Sequence, residues 1–261
     1  MTDTTPALRL FLEAFTAADV AEPLLSFDDT TPGESIRTAM TERRQDVVGI
    51  RFQGEVVRWM HRDDPPVSPP AYRTFEPSMV IESSAPLHVV IQRLDEQEPV
   101  FVRSLGQLGG VIYRHDTQNA AMRMWLFGLV TVMDLRVTEI IRDTFPGAEW
   151  QRYLSPGRLQ KAKELQEERT RRNDARDLLD CLQLSDKGKI IACDEELRGL
   201  TRFHSRRGVE QFVSGLESLR NHLAHSQDFA ANWETILDLA RNVRRVVIGA
   251  DEHEGESTPR G

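Results

Sequence analysis

The 261-residue sequence is poor in the features that mark secreted, membrane-spanning or disulfide-stapled proteins. It has two cysteines, Cys181 and Cys193, and no CxxC pair, so we expect reduced thiols rather than a disulfide framework. The longest apolar run, residues 125–133, is far too short to cross a bilayer. No basic segment followed by an apolar core opens the sequence, so we expect no signal peptide. These absences predict a cytoplasmic protein without a membrane partner.

Positive charge is also scarce relative to negative charge. The chain has 33 lysines and arginines against 41 aspartates and glutamates, which gives a formal net charge of -8. An acidic chain is not attracted as a whole to a nucleic-acid backbone, so any contact with RNA would be local. The hydrophobic content of 39% supports a packed core, and the length allows one large or two small domains.

What the sequence does contain is an amphipathic helix near the C-terminus that ends in polar side chains. Its apolar residues recur at spacings of four, three and four, the pattern of one buried stripe: Phe212, Leu216, Leu219 and Leu223. On such a helix Asn221 and His225 lie about 40° apart, away from the stripe, and Arg220 lies about 100° from Asn221. The polar residues 226–228 are expected to end the helix, which places His225 near its C-terminus.

Arg220 and His225 have the chemistry that RNA cleavage requires. Cleavage through the 2′-hydroxyl needs proton transfer and stabilisation of a charged pentacoordinate phosphate. An imidazole can serve as acid or base near neutral pH, and an arginine fork matches phosphate oxygens. No cluster of His or carboxylates near this motif has metal-ligand spacing, so we expect no metal in the reaction. The alternative is that these residues are a solvated helix end with a structural role.

The segment Leu219-Arg-Asn-His-Leu-Ala-His-Ser-Gln227 resembles the Arg-x4-His signature of HEPN domains, and residues 184–191 are also similar to HEPN-like helical proteins. The resemblance covers about residues 119–249 and implies a four- or five-helix bundle. Many HEPN domains are metal-independent endoribonucleases that act on RNA as dimers with facing motifs, and some are not nucleases. The resemblance implies a homodimer and three catalytic residues: Arg220, Asn221 and His225.

An arginine-rich segment without acidic residues, residues 198–208, leads directly into this helix. The functional interpretation is a strip that contacts the phosphate backbone of RNA. Its RNA-binding residues would be Arg202, Arg206 and Arg207. The alternative is a solvated loop, and the sequence leaves both open.

The first half of the chain contains two similar units in succession. Each is predicted as a helix, a strand, a turn and a second strand, and the units end at Asp63 and Asp116, 53 residues apart. The predicted strands are residues 46–52, 55–60, 99–103 and 110–113. Gln53-Gly54 is a typical hairpin turn, and residues 106–109 are expected to form the other. The sequence therefore predicts an internal repeat.

The stretch Gly110-Val-Ile-Tyr-Arg-His-Asp116 resembles the strand-to-aspartate motif of CBS domains, with Tyr113 where the family has Thr or Ser. Residues 57–63 resemble it more weakly, with Met60 at that place, and the likeness covers about residues 20–140. It implies that the aspartate holds the ribose hydroxyls of an adenosine nucleotide (ATP, ADP or AMP) as a regulatory ligand. The implied nucleotide-binding residues are Asp116, Arg114 and Asp63, with Arg62 and His115 within reach of phosphates.

A second interpretation of Asp116 is that it caps the helix that follows it. Helical spacing predicts that helix from Ala120 to Asp143. Further helices are predicted over residues 7–25, 155–182 and 234–247.

These patterns predict an α+β protein with two domains: an N-terminal α/β CBS-like tandem, residues 1–118, and an all-α HEPN-like helical bundle, residues 119–250. Residues 251–261 are predicted to be a disordered tail. The expected function is a metal-independent endoribonuclease of HEPN type that needs no cofactor for catalysis, is regulated by an adenosine nucleotide bound to the CBS-like tandem, and acts in stress or phage defence. The rival is a non-catalytic, nucleotide-sensing dimerisation protein. In a third reading the CBS-like half binds no nucleotide and is an interaction surface.

Overall fold

The structure, a computed structural model, describes residues 13–65, 72–201, 203, 205–225, 228 and 232–248. It is an α+β fold with two small sheets in the N-terminal part and helices in the C-terminal part, which confirms the predicted class at that level. The chain divides into two compact units within one long helix, between Trp125 and Leu126. The sequence-based boundary lies ahead of that helix, after residue 118.

The described strands of the N-terminal unit are β1 (Glu22–Pro23), β2 (Ser26–Asp28), β3 (Val47–Phe52), β4 (Glu55–His61), β5 (Arg73–Thr74), β6 (Val80–Glu82), β7 (Val100–Ser104) and β8 (Gln107–Ile112). Its helices are α1 (Gly33–Glu42), α2 (Leu87–Glu96) and the first residues of α3 (Ala120–Thr144). One sheet has the order β2-β3-β4-β5 and the other β6-β7-β8-β1. In each sheet the first pair of strands is parallel and the two later pairs are antiparallel.

The two sheets are copies of one β-α-β-β pattern, which confirms the predicted repeat. A register shift between Ile50 and Arg51 recurs between Val102 and Arg103. The hairpin turns also match, with left-handed backbone at Gln53, Gly54, Leu105 and Gly106. From Arg51 to Arg103 the offset is 52 residues. The second turn is therefore Leu105-Gly106, not residues 106–109, and β8 begins directly after it.

The alternation of side chains along β3 explains why a helix and a second sheet cover the first sheet. Val48 and Ile50 point to one face, where they pack against Ile36 and Met40 of α1. Val47 faces the other way, into a cluster with four more buried side chains: Leu24, Trp59, Phe101 and Val111. The rings of Trp59 and Phe101 lie 5.2 Å apart between centroids, so residues of both repeats share this core.

The described helices that follow α3 are α4 (Pro156–Arg171), α5 (Leu184–Cys193), α6 (Glu195–Leu200), α7 (Arg206–Ala224) and α8 (Trp233–Ile248). The predicted stripe of α7 is buried, with Leu216 and Leu219 at most 1% exposed. The side chain of Ser205 accepts a hydrogen bond from Gly208 N–H and so caps the start of α7. None of the described helices is both long enough and apolar enough to span a membrane.

Two predicted helices are shorter than the sequence pattern indicates. Of residues 7–25, those up to residue 12 lie outside the described part, and the helix stops at Ala14 before a 3₁₀ turn and β1. The prediction for residues 155–182 is wrong beyond Arg171. There Asn173 adopts left-handed backbone with φ of 60°, which a continuous right-handed helix does not allow.

Replacing Gly188 by alanine is expected to destabilise the C-terminal unit. α5 packs closely on α7 at this glycine, and a Cβ there would lie 2.6 Å from Val213 Cγ2. Overpacking of this kind costs about 1–3 kcal/mol of unfolding free energy. Gly199→Ala in α6 is the matched control, because no atom lies within 4 Å of its added Cβ and alanine favours a helix by about 1 kcal/mol. Urea unfolding measures both, and a Gly188→Ala protein as stable as wild type would contradict this packing.

Candidate functional site

The predicted catalytic residues are exposed at the C-terminal end of α7. The helix ends at Ala224, and the N–H of His225 donates to the carbonyl of Asn221 at 3.1 Å. Arg220, Asn221 and His225 are all exposed, and within the described part of the chain their side chains make no hydrogen bond or ion pair. Arg220 and His225 are five residues apart, which is about 140° around an α-helix. Helix geometry alone therefore places them on different sides of one copy of α7.

A second imidazole lies within the motif and was not singled out from the sequence. His222 is half-buried, and its Nδ1 lies 2.7 Å from the carbonyl oxygen of Ser218. The Ser218 hydroxyl accepts a hydrogen bond from Asn232 Nδ2 at 3.0 Å, and Asn232 is buried. The sequence feature that could have revealed this contact is the four-residue spacing of Ser218 and His222, which makes them neighbours on the surface of a helix. These contacts give His222 a fixed orientation, which His225 lacks.

The arginine-rich segment, residues 198–208, which runs into the first turn of α7, has a structural role at two of its positions. Arg206 Nε donates to the carbonyl of Ala192 at 3.0 Å, and Arg198 Nη1 donates to the same oxygen at 2.7 Å. This carbonyl belongs to the last turn of α5, where helix carbonyls lack partners within the helix. Arg207 is exposed, whereas Arg202 lies outside the described residues. Of the two predicted RNA-binding residues within the described part of the chain, Arg207 therefore has the more available guanidinium.

Equivalent positions of the two repeats are 52 residues apart, so the counterpart of Asp116 is Asp64. The sequence motif had suggested Asp63 instead. Asp64 Oδ2 accepts a hydrogen bond from His61 N–H at 2.8 Å, and Asp116 Oδ2 accepts one from Tyr113 N–H at 2.7 Å. Both carboxylates are nearly buried, with 9% and 8% of the side chain exposed. Asp63, the predicted binding residue, is 82% exposed. The two equivalent carboxylates define a pair of candidate sites in the N-terminal unit.

Within the described residues, the basic side chain beside Asp116 is an exposed histidine. Its Oδ1 lies 3.2 Å from Nε2 of His115, whose side chain is 71% exposed. The ring of His115 stacks on Tyr113, with centroids 5.1 Å apart. Burial raises the pKa of Asp116; the Tyr113 N–H and His115 oppose the rise, while Glu22 and Glu98 add to it. The carboxyl group is thus held where its ionised form is costly.

Asp116 does not cap the long helix, so the second interpretation of this residue is wrong. The side chain of Asn119 accepts a hydrogen bond from Met122 N–H at 2.9 Å and caps the start of α3. Asp116 instead lies in a 3₁₀ turn, Arg114–Gln118, and its carboxylate points back to the strand end.

Asp64 has the opposite electrostatic environment. Arg73 Nε lies 3.0 Å from Oδ1 and 3.1 Å from Oδ2, and Arg73 Nη2 also contacts Oδ1. Burial alone would raise the pKa of Asp64, but the hydrogen bonds from Arg73 and from His61 N–H outweigh it and lower the pKa. The ionised form of Asp64 is therefore stabilised by the fold.

The arginines predicted to reach phosphates form ion pairs within their own repeats. Arg114 Nη2 donates to the carbonyl of Leu94 at 3.0 Å, and Arg114 Nε lies 3.7 Å from a carboxylate oxygen of Glu98. In the first repeat Arg62 is the counterpart of Arg114, and its Nη2 lies 2.6 Å from Asp46 Oδ1. A phosphate contact from either guanidinium would compete with these carboxylates.

The comparisons with known proteins add no assignment. No protein-family model matches the chain, and no curated protein matches it in sequence. Within the described residues there is no group of three or more His, Cys, Asp or Glu side chains that could hold a metal ion.

At pH 7, Asp64→Asn is expected to lower the stability of the protein, whereas Asp116→Asn is not. The lowered pKa of Asp64 contributes stability above its ordinary value of 3.8, and this is lost as the pH falls further through the lowered pKa. The raised pKa of Asp116 makes its ionised form costly above that pKa, and the cost is absent below 3.8. Asp64→Asn should lose about 1–2 kcal/mol at pH 7, whereas Asp116→Asn should be as stable as wild type or more stable.

Thermal unfolding of wild type and both variants between pH 7 and pH 3 measures this prediction. The differences from wild type should shrink toward the acidic end of the range, because the carboxyl group of Asp116 becomes protonated and the stability that Asp64 contributes is progressively lost below pH 3.8. A loss of similar size in both variants at pH 7 would contradict the assigned environments.

Proposed function

We propose that the chain is a metal-independent endoribonuclease of HEPN type, regulated by an adenosine nucleotide that binds the CBS-like tandem. The observation that carries the nuclease part is the surface of α7. Its buried stripe fixes the helix, and Arg220, Asn221 and His225 are exposed at its end. An exposed imidazole and an exposed guanidinium are the two groups that cleavage through the 2′-hydroxyl requires.

In the proposed reaction His225 transfers a proton, as base to the attacking 2′-hydroxyl or as acid to the leaving 5′-oxygen. Arg220 binds the non-bridging oxygens of the scissile phosphate, and Asn221 positions the motif or the substrate. Since Arg220 and His225 point to different sides of one α7, we expect two copies of the chain to face each other. The partner copy then supplies the second imidazole, so one acts as base and the other as acid.

The duplicated β-α-β-β pattern supports the regulatory part of the proposal. It ends in two equivalent buried carboxylates, and a carboxylate can accept two hydrogen bonds from a ribose diol. Bound nucleotide can switch the nuclease only if its affinity differs between two arrangements of the dimer. A role in stress or phage defence is an analogy with the HEPN family.

The test is cleavage of a mixed RNA pool by the purified protein in EDTA, with and without ATP or AMP. Wild type should cut, His225→Ala should not, and the dimer should be intact in both by light scattering. A change in rate on adding nucleotide would support the regulatory part. If wild type does not cut under any of these conditions, or if His225→Ala cuts equally well, the nuclease proposal is wrong.

The second candidate is a non-catalytic regulator that senses nucleotide and forms dimers through the helical unit. It is favoured by the contact of Arg206, whose Nε donates to the carbonyl of Ala192 in the last turn of α5. In this case the protein would bind nucleotide and dimerise without cutting RNA. The cleavage experiment and a nucleotide titration on the same preparation separate the two candidates.

A further inference from the structure

The two carboxylate positions of the tandem have diverged, and this inference rests on the proposed nucleotide-sensing function. In the first repeat the carboxylate of Asp64 is already occupied by the chain itself. Arg73 contacts both oxygens through Nε and Nη2, and Oδ2 also accepts the His61 N–H. Such a bidentate guanidinium–carboxylate pair makes two parallel, charge-assisted hydrogen bonds. A ribose diol would have to displace a charged donor with two neutral hydroxyls.

Arg73 is itself held in this position by its surroundings. Its guanidinium carbon lies 4.9 Å from the ring centroid of Trp59, which is buried and donates through Nε1 to the carbonyl of Thr74 at 3.1 Å. Arg73 also pairs with Trp59 in the register of β5 and β4. The side chain that occupies Asp64 is therefore anchored to the sheet by backbone pairing and by a cation–π contact.

In the second repeat the residue equivalent to Arg73 is acidic. Glu22 of β1 pairs with Val111 of β8, and Val111 is the counterpart of Trp59 at the offset of 52 residues. Glu22 is thus the counterpart of Arg73. In the described part of the chain no guanidinium covers Asp116. Its Oδ1 lies 3.2 Å from Nε2 of His115, whose side chain is exposed.

We propose that each chain binds one nucleoside or nucleotide, at Asp116, and that Arg73 permanently closes the equivalent position at Asp64. The ribose hydroxyls of the ligand donate to the Asp116 carboxylate and displace the ring of His115 from it. His115 can move because one ring nitrogen lies beside the carboxylate and 71% of its side chain is in solvent, whereas Arg73, although 51% exposed, is held by both oxygens of Asp64 and by the ring of Trp59. The tandem is then an asymmetric, single-site sensor.

The test is isothermal titration of adenosine and AMP into the full chain. Wild type should bind one equivalent per chain, and Asp116→Asn should weaken binding by about 10- to 100-fold, the effect of losing hydrogen bonds to a charged acceptor. Glu22→Arg should weaken it at least as much, because it introduces the closing guanidinium beside Asp116. Asp64→Asn should keep wild-type affinity. Glu55→Arg, the same charge change at an exposed hairpin position, is the matched control and should also bind normally.

The other outcomes are distinguishable. Two equivalents per chain, or an equal loss of affinity in Asp64→Asn and Asp116→Asn, would overturn the single-site inference while nucleotide sensing stands. Absence of binding by wild type to either probe would overturn both the inference and the sensing part of the proposed function. Circular dichroism of each variant at the titration temperature establishes that a loss of binding is not a loss of fold.

Discussion

Replacement of His225 by alanine is expected to slow RNA cleavage by a factor of about 10²–10⁴, the contribution of a positioned acid or base. The variant should be as stable as wild type, because the imidazole is exposed at the end of α7. Single-turnover cleavage of a short RNA with one preferred site measures the rate. Thermal unfolding of the same sample measures stability. A rate within threefold of wild type would remove His225 from the mechanism.

His222 and Arg220 supply the matched variants for this experiment. His222→Gln should leave the rate nearly unchanged, because Nδ1 of His222 is engaged with the Ser218 carbonyl and its role is structural. Arg220→Lys keeps the charge but loses the planar fork that fits two phosphate oxygens, so a loss of about tenfold is expected. If His222→Gln reduced the rate as much as His225→Ala, the proton transfer would have to be reassigned.

Replacement of Asp134 by alanine is expected to lower the unfolding free energy by about 3 kcal/mol. Lys187 of α5 is 3% exposed, and its ammonium nitrogen lies 2.8 Å from Asp134 Oδ1 on α3. Removing the carboxylate leaves a buried positive charge without its partner, which costs more than the ion pair itself contributes. Chemical denaturation of the variant measures the loss.

The double variant Asp134→Ala, Lys187→Met tests the cause of that loss. Methionine fills a similar volume without charge, so the double variant should recover most of the stability. If the single and double variants were equally unstable, the loss would come from packing at Asp134 and not from the unpaired charge.

Elements with a clear local pattern could be predicted from the sequence. The stripe of α7 depends on helical periodicity alone, and the first hairpin depends on Gln53-Gly54, whose left-handed backbone suits glycine. The exposed position of His225 followed from the same periodicity. Its chemical role stays a prediction, because surface exposure does not distinguish a catalytic imidazole from a solvated one.

Features that depend on register or on distant partners could not be predicted. Asp63 and Asp64 are neighbours, and which of them matches Asp116 depends on the 52-residue offset between the paired strands, which a single sequence does not mark. The role of Arg73 could not be predicted because Arg73 lies in a two-residue strand. The proline-rich residues 65–70 separate it in sequence from its partner Asp64. The charge reversal between Arg73 and Glu22 is visible only once β1 is known to pair with β8.

The short outer strands of both sheets limit how readily two copies of the chain can associate through their sheet edges. Each sheet is bordered by strands of two or three residues: β2 and β5 in one, β6 and β1 in the other. An edge of that length offers another chain few unpaired N–H and C=O groups, so edge-to-edge growth into fibres has little template. The longer, hydrophobic strands β3, β4, β7 and β8 lie inside the sheets. The order of the strands thus keeps the longer strands of both sheets away from the sheet edges.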